Sequence, residues 1–134
     1  MVPVAVSWGR SMSMLVVEPD NAIRRSLCEW LRVEAPGWSI SEATSKEEAI
    51  VMAEAHSPRM ILVDIADPET DALMTIREIK DAAPESALVA LVMCDEEDYL
   101  CDLASAGASA SLLIWDIQTD LPATVEKLFS TERS

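Results

Sequence analysis

The chain has 134 residues, half of them hydrophobic, with 24 acidic against 10 basic side chains and a formal net charge of −14. That length suits one domain with its own core, without disulfide or metal staples, and the apolar content excludes a disordered segment. The negative field opposes contact with nucleic-acid phosphates or an anionic membrane; it suits basic protein partners or bound cations, or serves only to keep the chain in solution.

Residues 1–12 (MVPVAVSWGRSM) have no basic head or cleavage pattern of a signal peptide. They read as a tail, an added strand, or an upstream start ahead of Met12 or Met14. The domain is expected over residues 13–130, with residues 131–134 as a C-terminal tail.

Ser13–Val17 (SMLVV) reads as a buried strand that ends at an acid and a proline. From Asn21 the period becomes helical. Ile23, Leu27, Trp30 and Leu31 share one face, with Arg24, Arg25 and Arg32 mostly off it. Asp20 or Asn21 can cap this helix, and Pro36-Gly37 ends it. Trp38–Ala43 alternates and reads as a second strand. Thr44 or Ser45 then caps a helix whose apolar side is Ala49, Ile50, Met52, Ala53 and Ala55. Met60–Val63 is an all-apolar strand of the kind found inside a parallel sheet, and Asp64 follows it.

Asp71–Ala83 is expected to be a third helix, Ala87–Val92 a fourth strand and Asp95–Ala106 a fourth helix stopped by Gly107. Ala110–Ile114 is a fifth strand, and Leu121, Val125, Leu128 and Phe129 stripe a fifth helix. This alternation predicts an α/β domain, a parallel sheet with helices on both faces and right-handed crossovers. No apolar run is long enough to span a bilayer.

In such sheets the ligand site lies beyond the carboxyl ends of the strands. The residues there are Glu18-Pro19-Asp20, then Asp64 through Glu69, then Met93-Cys94-Asp95-Glu96, then Trp115-Asp116. The rim is acidic and its first loop lacks glycine, which argues against flavin or dinucleotide binding. Glu18, Asp64 and Asp67 either hold Mg²⁺, which takes oxygen ligands, or are solvated loop and cap residues. Cys28, Cys94 and Cys101 lack metal-ligand spacing, and one histidine, His56, completes no zinc cluster. Cys94 and Cys101 read as ordinary reduced thiols and His56 as a surface cap, which suits the cytoplasm. The acidic run Asp95–Asp98 opens a helix, either as a solvated face or as a docking patch for a basic partner.

The order and spacing of three stretches resemble the receiver domains of bacterial response regulators. MLVVEPDNAIRRSL is similar to their first strand, acidic loop and first helix. MILVDIADPETDAL is similar to the strand that ends in the phospho-accepting aspartate. Ala87 through LASAGASASLL is similar to their fourth strand, fourth helix and fifth strand.

The resemblance implies a flavodoxin-like, doubly wound three-layer sandwich with a five-stranded parallel sheet in the order 2-1-3-4-5. It implies a signalling module rather than an enzyme. A histidine kinase would supply the phosphoryl group, and protein partners would dock on the face of the fourth helix, fifth strand and fifth helix. A homodimer is left open.

Carried over by position, Asp64 is the phospho-acceptor, and Glu18, Asp64 and the Ala66 carbonyl are the Mg²⁺ ligands. Pro19 stands where the family has its second acid, and Asp20, one residue on, is a candidate substitute. Val92 replaces a hydroxyl residue, Ile114 the lysine, Trp115 a proline, Ser111 the switch aromatic and Ala72 a common glycine. Each missing donor to a charged group removes about 1.5–3 kcal/mol, and about 1.4 kcal/mol is tenfold in rate. Weak Mg²⁺ binding and weak or absent phosphorylation are therefore expected. Val92, Ile114 and Trp115 are expected either to form an apolar lid beside Asp64 or to be ordinary strand-end packing, and an exposed Trp115 would exclude the lid.

Overall fold

A computed structural model of the chain describes residues 12–67 and 70–130. Five strands, β1 (Ser13–Val17), β2 (Ser39–Ala43), β3 (Met60–Asp64), β4 (Ala87–Val92) and β5 (Ala110–Leu113), form one sheet in the order β2-β1-β3-β4-β5. All pairings are parallel. The helices are α1 (Asn21–Glu34), α2 (Lys46–His56), α3 (Ala72–Ala82), α4 (Glu97–Ala106) and α5 (Ile117–Phe129). The expected tails fall outside the described residues except at Met12, whose carbonyl accepts the Ser39 N–H at 2.9 Å and extends the start of the sheet.

Side chains alternate across the strands and divide the core into two layers. Met14, Val16, Met60, Leu62, Val89, Leu91 and Leu112 pack against Leu27, Cys28 and Leu31 of α1 and Leu121, Val125 and Phe129 of α5. Leu15, Val17, Ile61, Val63, Leu88, Ala90 and Val92 pack against α2, α3 and α4. The central strand β3 is buried on both faces, which explains why its sequence is a continuous apolar run.

Local sequence sets the helix ends. Asp20, Ser45 and Asp71 are the N-caps of α1, α2 and α3, each accepting a backbone N–H three residues on. Several boundaries differ from expectation. Trp38 precedes β2, buried against Phe129 with ring centroids 6.1 Å apart. Asp71 caps α3 rather than opening it. Helix α4 begins at Glu97, so Asp95 and Glu96 lie ahead of it, and Glu96 makes no side-chain cap. Strand β5 ends at Leu113 because its neighbour β4 ends at the paired Val92; Ile114–Asp116 then form a 3₁₀ turn. On α2, Ala49 and Ala53 are buried and let the helix approach the sheet closely, whereas Ala55 is exposed.

Gly107 ends α4 with φ of +128°, where L-residues are strained, and a Cβ there would meet Lys80 Cγ at 2.7 Å. Lys80 cannot swing away freely, because its ammonium donates to the Ser86 carbonyl at 2.7 Å. Gly107→Ala is expected to lower the unfolding free energy by about 1–3 kcal/mol. Urea denaturation measures this; an unchanged midpoint would show that the turn relaxes.

Candidate functional site

The parallel sheet brings the loops after β1, β3, β4 and β5 to one edge, and two carboxyls meet there. Glu18 extends β1 by one residue, its N–H donating to the Ala43 carbonyl at 3.0 Å. Its Oε2 accepts the Asp20 N–H at 3.1 Å, and its carbonyl accepts Arg24 Nη1 at 2.9 Å. The residue is only 3% exposed, and Oε1 receives no donor. Asp64, half-buried at the tip of β3, accepts the Ala66 N–H on Oδ1 at 2.8 Å.

A proton resolves the unpaired Oε1 by letting Glu18 donate to Asp64. Burial, then this hydrogen bond, push the Glu18 carboxyl up to about 8, with the negative charges of Asp64 and Asp20 adding and the Asp20 amide opposing. Without a cation, Glu18 therefore holds its proton to a higher pH than a solvated glutamate does.

The other expected site residues disperse. Pro19 is exposed and brings no carboxylate. Asp20 is exposed, and its Oδ1 accepts the Ile23 N–H at 2.9 Å and caps α1. Val92 is 1% exposed and packs in the α2–α3–α4 layer. Ile114 packs in the opposite layer and lines a groove of about 380 Å³ between α1 and α5, with Ala22, Ile23, Leu27, Trp30 and Ile117. Ser111 is half-buried on the edge strand β5. Trp115 is 61% exposed. The apolar lid is therefore excluded: of its three residues, two pack on opposite sides of the sheet and the third faces solvent. Strand-end packing accounts for Val92 and Ile114. Cys94 and Cys101 are free and exposed, and His56 is exposed in the last turn of α2.

Two residues escaped the sequence reading. Arg24 was placed off the buried face of α1, yet its guanidinium reaches the acidic loop. Its signal was the pairing of a first-turn arginine with Glu42 on a neighbouring strand, which needs the strand order to be recognised. Tyr99 on α4 borders a second groove with Ala66, Asp71, Leu73, Met93 and Glu96. Burial, with a smaller contribution from Cys94, raises its phenol above the usual range.

Among the described residues no group of three or more His, Cys, Asp or Glu side chains is gathered to hold a metal. The buried Glu18 Oε1, which receives no donor, beside Asp64 does fit a hard cation that takes one or two carboxylates and keeps several waters.

This arrangement defines a flavodoxin-like, doubly wound domain with its carboxyl cluster at the carboxyl edge of the sheet. The chain belongs to the response regulator receiver domain family, whose model matches residues 14–113. Such domains are signalling modules of two-component systems.

The transcriptional regulatory protein PdtaR of Mycobacterium tuberculosis is 32% identical over 123 residues, covering 90% of this chain and 58% of that protein. The chain thus spans a little under three fifths of that relative. The chemotaxis protein CheY of Bacillus subtilis is 23% identical over 94 residues, covering 70% of this chain and 78% of CheY. Among solved structures, a LuxR-family two-component response regulator from Aurantimonas sp. SI85-9A1 superposes with a TM-score of 0.79 at 16% identity, covering 90% of this chain and 86% of that one. A two-component response regulator from Clostridium difficile gives a TM-score of 0.76 at 20% identity, covering 92% of this chain and all of that one. At these identities the structures share the fold alone.

The Glu18 carboxyl binds its proton more tightly folded than unfolded, so its contribution to stability is complete below about pH 4.5 and is lost as pH rises to about 8. The steepest loss is about 1.4 kcal/mol per pH unit. Urea midpoints measured from pH 5.5 to 8.5 are expected to fall for the natural protein and to fall markedly less for Glu18→Gln. Equal slopes would mean that Glu18 is already ionised in the native state.

Proposed function

We propose that this receiver module, spanning residues 13–130, signals through protein contact and that Asp64, its phospho-acceptor, accepts phosphoryl groups only weakly. The observation that carries this reading is the buried Glu18 carboxyl beside Asp64, with apolar Val92 and Ile114 packed into the core layers at the neighbouring strand ends. A carboxylate that attacks a phosphoryl group needs positive charge and donors to offset the transition state. Val92 offers no hydroxyl, Ile114 no ammonium and Pro19 no carboxylate. Lys46 pairs with Glu78 at 3.0 Å, and Lys80 is held by Ser86, so neither ammonium is engaged with Asp64.

Receiver domains bind Mg²⁺ at their phosphorylation site. Here Glu18, Asp64 and the Ala66 carbonyl would hold it, weakly, and it would supply positive charge that Val92 and Ile114 do not. One observation favours a second reading, a working Mg²⁺-dependent phospho-acceptor served by a histidine kinase: Glu18 Oε1, buried and without a donor, has the character of a cation ligand.

Protein partners fit the face of α4, β5 and α5. Exposed Glu97, Asp98 and Asp102 favour a basic partner, and exposed Trp115 in the middle of the 3₁₀ turn supplies an aromatic anchor. Self-association through this face is a further outcome, and the acidic charge disfavours direct contact with nucleic acid. Among the described residues no helix is long and apolar enough to cross a membrane, and a cytoplasmic setting agrees with the free thiols.

Incubation with Mg²⁺ and acetyl phosphate, read by intact mass, is expected to give far less than one phosphate per chain. The triple variant Pro19→Asp, Val92→Thr, Ile114→Lys is expected to accelerate adduct formation by at least tenfold. A stoichiometric adduct on the natural protein that disappears in Asp64→Asn would reject the weak-acceptor reading and establish the second one.

A further inference from the structure

Arg24 is more buried than its place in the first turn of a surface helix suggests, with a side chain 14% exposed against 50% for Arg32 on the same helix. Its guanidinium uses three nitrogens on three separate groups. Nη1 donates to the Glu18 carbonyl at 2.9 Å, Nε to Glu42 Oε1 at 3.2 Å and Nη2 to Asn21 Oδ1 at 2.6 Å. These belong to the β1–α1 loop, to β2 and to the start of α1. Glu42 is itself held from its other oxygen by Arg32 Nη2 at 3.2 Å, so the anchor has a fixed orientation.

We infer that Arg24 is a positioning residue for the Glu18–Asp64 carboxyl pair: it clamps the β1–α1 loop to β2 so that Glu18 Oε1 is presented to a divalent cation. The inference rests on the reading of that pair as a weak cation site. Glu18 is fixed at its N–H by Ala43, at Oε2 by the Asp20 N–H and at its carbonyl by Arg24. Of these three, the Arg24 contact is the one made by a side chain.

Arg24 acts through geometry. Its hydrogen bonds go to the Glu18 carbonyl, Glu42 and Asn21 rather than to the Glu18 carboxyl. Three divergent acceptors call for the planar five-donor fork of arginine, which the point charge of lysine does not reproduce. The arrangement has the form of outer partners that orient metal ligands, whose loss lowers metal affinity by about 10–100-fold.

The test is Mn²⁺ binding to the full chain, read by the electron paramagnetic resonance of free Mn²⁺ and paired with urea melts. Arg24→Gln is expected to weaken binding at least tenfold, Arg24→Lys to recover only part of the loss, and Glu42→Gln to give a smaller loss of the same sign. Cys28→Ala, buried one turn further along α1, is expected to lose stability and keep the natural affinity. A general loosening of α1 would instead weaken binding in proportion to lost stability, with Cys28→Ala included. Natural affinity in folded Arg24→Gln overturns the inference; if that variant does not fold, natural affinity in both Arg24→Lys and Glu42→Gln does so. If the natural protein binds no Mn²⁺, or Glu18→Gln binds as well as it does, the cation-site reading falls and the inference with it.

Discussion

The site depends on one unfavourable pairing, two carboxyls brought together at the edge of the sheet with one of them buried. Like charges in a poorly solvated place do not both ionise, so one keeps its proton or a cation intervenes. The backbone enforces the encounter. β1 and β3 are adjacent and parallel, with Val17 opposite Val63 in their last paired position. The residues that follow them, Glu18 and Asp64, therefore converge whatever their charge. The stability of the β1–β3 pair, buried on both faces, holds this local electrostatic cost in place.

In a chain with a lysine and a hydroxyl at the neighbouring strand ends, that cost would be offset by donors. Here the same positions contribute to the two hydrophobic layers. Val92 adds to the layer under α2, α3 and α4, and Ile114 to the layer under α1 and α5. The exchange favours packing over hydrogen-bond donors at these two strand ends. Exposed acids along α4 and an exposed tryptophan after β5 are features that a partner can read without any covalent change in the domain.

Much of this was legible in the sequence because it follows from short-range patterns. Continuous apolar strands, helix-period stripes and the cap candidates at Asp20 and Ser45 located the elements to within about two residues. The positions of Glu18 and Asp64 followed from strand ends alone. What did not follow was direction. Val92 and Ile114 looked like neighbours around Asp64, but the pleat turns one to each side of the sheet, and the 3₁₀ turn carries Trp115 out to solvent. Arg24 was misplaced for a related reason. The helical pattern sets it off the apolar face, and the position of β2 beside β1 supplies Glu42, a half-buried acceptor that helps to draw it in.

The division of Val92 and Ile114 between two separately packed layers constrains any mutational route towards a fully equipped phospho-acceptor. Each polar replacement enters a different half of the core, and neither lends the other a hydrogen-bond partner. A first step at Val92 buries a hydroxyl among apolar neighbours at a cost of about 1–3 kcal/mol, and the return in chemistry waits on further changes elsewhere. Changes at the two positions are therefore energetically independent, each answered only within its own layer.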